Sequence, residues 1–232
     1  MVFKKSLSML LLTALLLTAC SGASASQQIY NHLEEAVKLE DTFEEQQSEI
    51  VKLEKQEQEI YSQIIDLGMD KFDKIKELSN QAIESIEKRN EKIELEKESI
   101  QASEEEFKKT EDLISELEKQ EVKEKAEELY SVMSDRYDAY AELNKAYTES
   151  LSMEKELYTM LQNKDLKQEK LTEHIKKLND AYEKVLKANE KFNTLTAKYN
   201  ELKKEFYKAA GIDVKYEEEE KASEKSNSKS NE

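Results

Sequence analysis

Cys20 is the one residue whose type and position commit it to a covalent chemistry. It is the sole cysteine of 232 residues and stands at the end of Leu17-Thr18-Ala19-Cys20, behind an apolar stretch from Leu7 to Leu17 with Lys4 and Lys5 ahead of it. A basic start, an apolar middle and small residues at the cut make a signal peptide. With about a dozen apolar residues the stretch is short of the roughly 20 needed to cross hydrocarbon. Leu-Thr-Ala-Cys has the pattern of a bacterial lipobox, in which the thiol takes a diacylglyceryl group and the chain is cut just before it. Residues 1–19 are then a lipoprotein signal peptide and residues 20–26 a lipid anchor and tether. Two acyl chains, at about 0.8 kcal/mol per buried methylene, hold far more firmly than one myristoyl chain. The expected location is the cell membrane, lipid-anchored on the extracellular face. A single cysteine excludes an intramolecular disulfide.

Other chemistries find little support. A di-iron bundle needs Glu-x-x-His pairs, but Ile29 precedes His32 by three residues and Leu171 precedes His174 by three. No metal or other cofactor is expected. A serine nucleophile needs a base and an oxyanion hole, often on a glycine-bearing turn. The chain has only Gly22, Gly68 and Gly211, so the expectation is no enzyme. Binding is the more natural class. Tyr130, Tyr137, Tyr140, Tyr147 and Tyr158 could offer ring faces to sugars, or could edge the core with their hydroxyls in water. Lys176, Lys177, Lys184, Lys187 and Lys191 could meet phosphates, or could pair with an acidic neighbouring helix.

The elements that carry these residues are helical. The chain has no proline or tryptophan and 38% charged residues, a composition that only long solvated helices accommodate. Counting in sevens finds four apolar seams. The first runs Ile29, Ala36, Phe43, Ile50, Glu57, Ile64. The second, Phe72 to Ile114, is thin in its middle, where Arg89, Glu96 and Ser103 interrupt the flank. The third runs from Val122 to Leu161 and is rich in tyrosine. The fourth, Leu171, Leu178, Val185, Phe192, Tyr199 and Phe206, has no gap. Gly68 and Gly211 suit left-handed C′ positions, Asp70 an N-cap, and Asp165 with Gln168 a capping box.

A strict heptad repeat imposes left-handed, coiled-coil-like packing. The predicted fold is therefore all-α: an elongated antiparallel bundle of four long helices, up-down-up-down, over residues 27–211. No glycine or proline marks the join of the second and third segments near Glu118 to Glu121, and a one-residue phase slip is the sign of a turn there. The alternative keeps them continuous in an open rod. Charge favours the closed bundle. Residues 27–67 hold eleven acids and three lysines, net −8, and residues 164–208 hold eight acids and twelve lysines, net +4. The segment 212–232 has little to bury and reads as a disordered acidic and polar tail.

Ile29-Tyr30-Asn31-His32-Leu33-Glu34, Ile60-Tyr61, Leu67-Gly68-Met69 and Arg136-Tyr137-Asp138-Ala139-Tyr140, behind the lipobox, together resemble the YkyA-like family of cell-wall-binding lipoproteins of Gram-positive bacteria. The resemblance covers the mature chain except its tail. It implies a helical, lipid-anchored protein between membrane and wall, and carries over no catalytic or ligand residue beyond Cys20. The leading expectation is a non-catalytic interaction or spacer module. It would touch wall polymer or a wall-associated protein through Tyr130, Tyr137, Tyr140, Tyr147, Lys176, Lys177 or Lys184. An accessory of a membrane sensor or wall-synthesis complex is the second reading, and a wall-modifying enzyme a remote third. Losing Lys4 and Lys5 takes the formal charge from −16 to −18. An anionic wall polymer repels that charge over about 8 Å, so contact is expected to be local, directed at neutral sugar or bridged by divalent ions. Nucleic acid is disfavoured as a partner by the same charge.

Overall fold

The computed structural model of the chain describes residues 23–214. Cys20, the signal peptide and the tail beyond Val214 lie outside the described residues. Among those residues every regular element is helical: α1 (Ala25–Leu39), α2 (Asp41–Ile65), a 3₁₀ turn (Met69–Lys71), α3 (Phe72–Lys108), α4 (Thr110–Ser115), α5 (Gln120–Leu161) and α6 (Gln168–Ala210). None of the described helices is long and apolar enough to cross a membrane.

Residue pairings across the helices give the topology. Leu39 meets Ser99 and Leu53 meets Ser85, so α1–α2 runs antiparallel to α3. Ser103 meets Tyr137 and Asn80 meets Gln162, so α3 is antiparallel to α5. Lys125 meets Glu205 and Glu142 meets Lys191, so α5 is antiparallel to α6. Glu34 receives Lys203 at 3.2 Å, which brings the first and last helices side by side in opposite directions. This is the up-down-up-down bundle. The open rod is excluded by the turn after Ser115, which ends the second segment before α5 starts at Gln120. Its Leu117 is buried, so apolar burial does the work that no glycine does.

The apolar seams close two clusters rather than one. Ile29, Leu33, Phe107, Leu129, Met133 and Phe206 belong to the cluster at the end holding both described termini. Ile64, Ile75, Leu78, Ile86, Leu151 and Tyr158 form the other, under the α2–α3 corner. Between them lies a polar belt on α3 and its neighbours, where the second seam is thin.

Several local expectations are corrected. The first segment is not continuous, because the helix breaks at Glu40. The hydroxyl of Ser99 donates to Leu39 O at 2.5 Å and accepts from Phe43 N–H at 3.2 Å. These are the two groups that an unbroken helix would join, so a side chain from α3 is inserted into the ladder of the first segment. Gly68 is extended, with φ −84° and ψ 165°, and is not a left-handed cap. Asp70 lies within the 3₁₀ turn, and α3 starts at Phe72 without a side-chain cap. Asp165 makes no capping box. Its N–H bonds to Asn163 Oδ1 at 3.0 Å, and α6 begins three residues later without a side-chain cap. Gly211 does take the left-handed conformation, at φ 69°, and Ile212 N–H closes on Tyr207 O at 2.9 Å. At the borders, Ser24 caps α1 through the Gln27 N–H, and Ile212 and Val214 pack on the bundle. The packed part thus extends a little past both limits of 27–211.

Candidate functional site

Two arginines sit in the polar middle of the bundle. Arg136 of α5 grips Glu40 with Nη1 at 2.8 Å and Nη2 at 2.6 Å, and its Nε donates to Thr196 of α6 at 2.9 Å. Its guanidinium also lies over the Phe192 ring, 4.8 Å from the centroid. Glu40 stands at the helix break between α1 and α2. Arg89 of α3 bonds both Glu57 of α2 and Glu154 of α5, and its Nη1 reaches Tyr147 Oη at 3.4 Å. Tyr147 in turn donates to Glu54 at 2.6 Å. Through these two centres α2, α3, α6 and the α1–α2 junction at Glu40 are tied to α5.

Burial sets the electrostatics. Glu96 takes a hydrogen bond from Gln47 at 2.5 Å, yet burial pushes its carboxyl up to about 7. Burial likewise raises Glu154 to about 7, against the pull of Arg89. The tyrosine hydroxyls of the belt, including Tyr137, Tyr140 and Tyr147, are pushed well above their ordinary range, mainly by burial.

Over this belt the bundle is open. The aromatic trio Phe43, Tyr140 and Phe192, with centroids 5.7–5.9 Å apart, closes the start of α2 onto α6. Beyond it α2 and α6 part, leaving a trough walled by those two helices and floored by α3 and α5. Its larger cavity, about 730 Å³, is lined among others by Gln47, Glu54, Glu96, Tyr140, Asn144 and Tyr199. It is continued through the shared residues Glu54, Tyr147, Val185 and Leu186 into a second cavity of about 460 Å³, which reaches Arg89 and Glu154. Leu186, 68% exposed, stands on its rim.

The tyrosines proposed as contacts are distributed by this geometry. Tyr137, Tyr140 and Tyr158 are buried, Tyr130 stacks on Phe107 at 5.0 Å and donates to Glu111 at 3.0 Å, and Tyr147 is half-buried in the trough. They form no common outer face; only Tyr140, Tyr147 and Tyr158 line the trough. Lys176, Lys177 and Lys184 are exposed on α6 outside both cavities. Lys177 pairs within its own helix with Glu173 at 2.7 Å, not with the acidic first segment. The histidines lie at opposite ends of the bundle: His32 against Glu106 at 2.6 Å, and His174 against Met153 O at 2.8 Å. Among the described residues no three His, Cys, Asp or Glu side chains are grouped to hold a metal.

Sequence reasoning missed Glu57, Arg89, Glu96 and Glu154 as a set. The available signal was that polar residues interrupt several seams at heights that an antiparallel register brings level.

The fold and belt define an all-α four-helix bundle protein with a polar, partly open middle. A protein-family model described as "Putative cell-wall binding lipoprotein", YkyA, matches residues 24–209, and the chain belongs to that family. It is 38% identical over 202 residues to a Bacillus subtilis (strain 168) protein described as "Uncharacterized lipoprotein YkyA", covering 87% of this chain and 91% of that protein. A crystal structure of a conserved Staphylococcus aureus protein of unknown function superposes with a TM-score of 0.70 at 18% identity, over 78% of this chain and 93% of that one. That likeness shows the same fold. Lipoprotein membership places the chain with surface-associated proteins.

Proposed function

We propose that the chain is a non-catalytic surface module, fixed to the outer face of the membrane by a lipidated Cys20, whose bundle contacts cell-wall polymer. The carrying observation is the lipobox Leu17-Thr18-Ala19-Cys20 standing directly ahead of a region, 24–209, matched to a family described by cell-wall binding. The physical character of the bundle supports this reading. Its buried charges are engaged with one another in the Glu40–Arg136 and Glu57–Arg89–Glu154 groups, and its middle carries an open trough.

The test incubates the mature chain, carrying Cys20→Ser so that it stays in solution, with purified Gram-positive sacculi at physiological salt and with calcium. Sedimentation with the sacculi is expected. A chain that stays in the supernatant overturns wall contact and directs the search to discrete protein partners, by crosslinking in cells.

A further inference from the structure

The geometry points to the trough between α2 and α6 as a binding site for an uncharged, hydroxyl-rich glycan strand. This assignment rests on the wall-contact reading above and gives it a site and a ligand class.

The Tyr199 hydroxyl, on a residue 3% exposed, has no hydrogen-bond partner among the described residues. The hydroxyl of Tyr140, 4% exposed, and Nδ2 of Asn144 lie beside one another and find no other partner among those residues. Buried polar groups cost stability when under-bonded, and these three side chains line one cavity. A ligand rich in hydroxyls can complete their bonding, since each hydroxyl both donates and accepts.

The wall of the trough points the same way. All four asparagines of α6, Asn179, Asn189, Asn193 and Asn200, line one cavity or the other. Asn189, Asn193, Thr196 and Asn200 recur at helical spacing and form one uncharged stripe. Asparagine is a poorer helix former than the lysine and glutamate that fill the rest of this helix, so helix propensity does not account for the stripe.

Charge and shape narrow the ligand. Asp41, Glu44 and Glu54 border the cavity and repel a polyanion, while carboxylates accept hydrogen bonds from sugar hydroxyls. The exposed Lys176, Lys177 and Lys184 lie outside it. Cavities of about 730 and 460 Å³ joined end to end, each within the range of small-ligand sites, suit a polymer lying along the bundle.

The test uses the mature Cys20→Ser chain with two probes: native sacculi, and sacculi stripped of anionic polymer by hydrofluoric acid. Binding is expected to persist or strengthen on stripping. Tyr199→Phe and Asn189→Ala/Asn193→Ala should each weaken it by about three- to tenfold, the worth of one or two hydrogen bonds. Tyr199→Phe should do so without lowering the melting temperature, because it removes a hydroxyl that is unpaired in the free protein. Lys176→Glu/Lys177→Glu/Lys184→Glu should leave binding unchanged. Trough variants that bind like the parent overturn the site while leaving wall contact standing. Retention only by native sacculi, or loss in the lysine variant, overturns the glycan class in favour of an anionic polymer. No retention by either probe overturns wall contact itself and this assignment with it.

Discussion

Arg89 illustrates how one side chain can hold three helices and also be their weakest point. It neutralises Glu57 and Glu154 where all three are nearly dry, with side-chain exposures of 3%, 11% and 4%. Arg89→Ala should cost about 3–5 kcal/mol, because it strands two buried carboxylates. Replacing the group together, as Arg89→Met/Glu57→Leu/Glu154→Leu, should recover most of that loss, and urea denaturation of the variants measures both. A triple variant as weak as the single one would mean that the ion group adds stability of its own. Glu96 adds a pH dependence. Its carboxyl is raised from 4.5 to about 7, so the folded chain holds a proton that the unfolded chain has lost across that window. Its stabilising contribution is complete below about pH 4.5 and disappears as pH rises through about 7, on the order of 3 kcal/mol. Glu154 slopes in the same direction. Glu96→Gln should therefore flatten, but not abolish, the fall in urea midpoint between pH 5 and pH 8. An unchanged slope would show that Glu96 titrates as it does when unfolded.

At the scale of the helix, the break at Glu40 shows where sequence reading stops. Heptad counting finds the four segments because Ile29, Phe107, Leu129 and Phe206 must face inward whichever neighbour they meet. It finds Gly211 because a left-handed C′ is a local demand. It does not find the break, since Ala36, Phe43 and Ile50 keep their phase across it and its cause is a hydroxyl on α3. Ser99→Ala tests that cause. It leaves Leu39 C=O and Phe43 N–H without their bridge, and the expected loss is about 1–3 kcal/mol by urea denaturation. An unchanged midpoint would mean that the backbone recloses at no cost and that Ser99 only occupies the gap. The trough was hidden for a related reason. Val185 continues the α6 seam without a gap, yet it lines open space, because α2 does not approach α6 beyond Phe43. Registers and spacings between helices, rather than propensities within them, place Arg89 level with Glu57 and leave Asn193 facing the trough.

For the whole molecule, the topology and the proposed anchor together predict an orientation. The N-terminus of α1 lies beside the C-terminal end of α6, where the Tyr30 and Tyr207 rings meet at 5.1 Å. With Ser24 capping α1, four residue steps separate it from Cys20, a reach of about 14 Å at full stretch. Under the proposed anchoring, the end that carries the α4–α5 turn is held near the membrane, and in an upright bundle the α5–α6 turn stands about 63 Å further out, the length of α5 at 1.5 Å per residue. The trough lies between them, and a wall strand would meet it well clear of lipid. Because Cys20 is the sole native cysteine and the proposed lipidation would occupy it, a new thiol can be labelled selectively. In vesicles bearing the lipidated protein, a dye at Glu118→Cys should transfer energy strongly to a membrane acceptor, and one at Asp165→Cys weakly. Equal transfer from both would mean a bundle lying flat on the membrane, with its trough held beside the headgroups instead of presented to the wall.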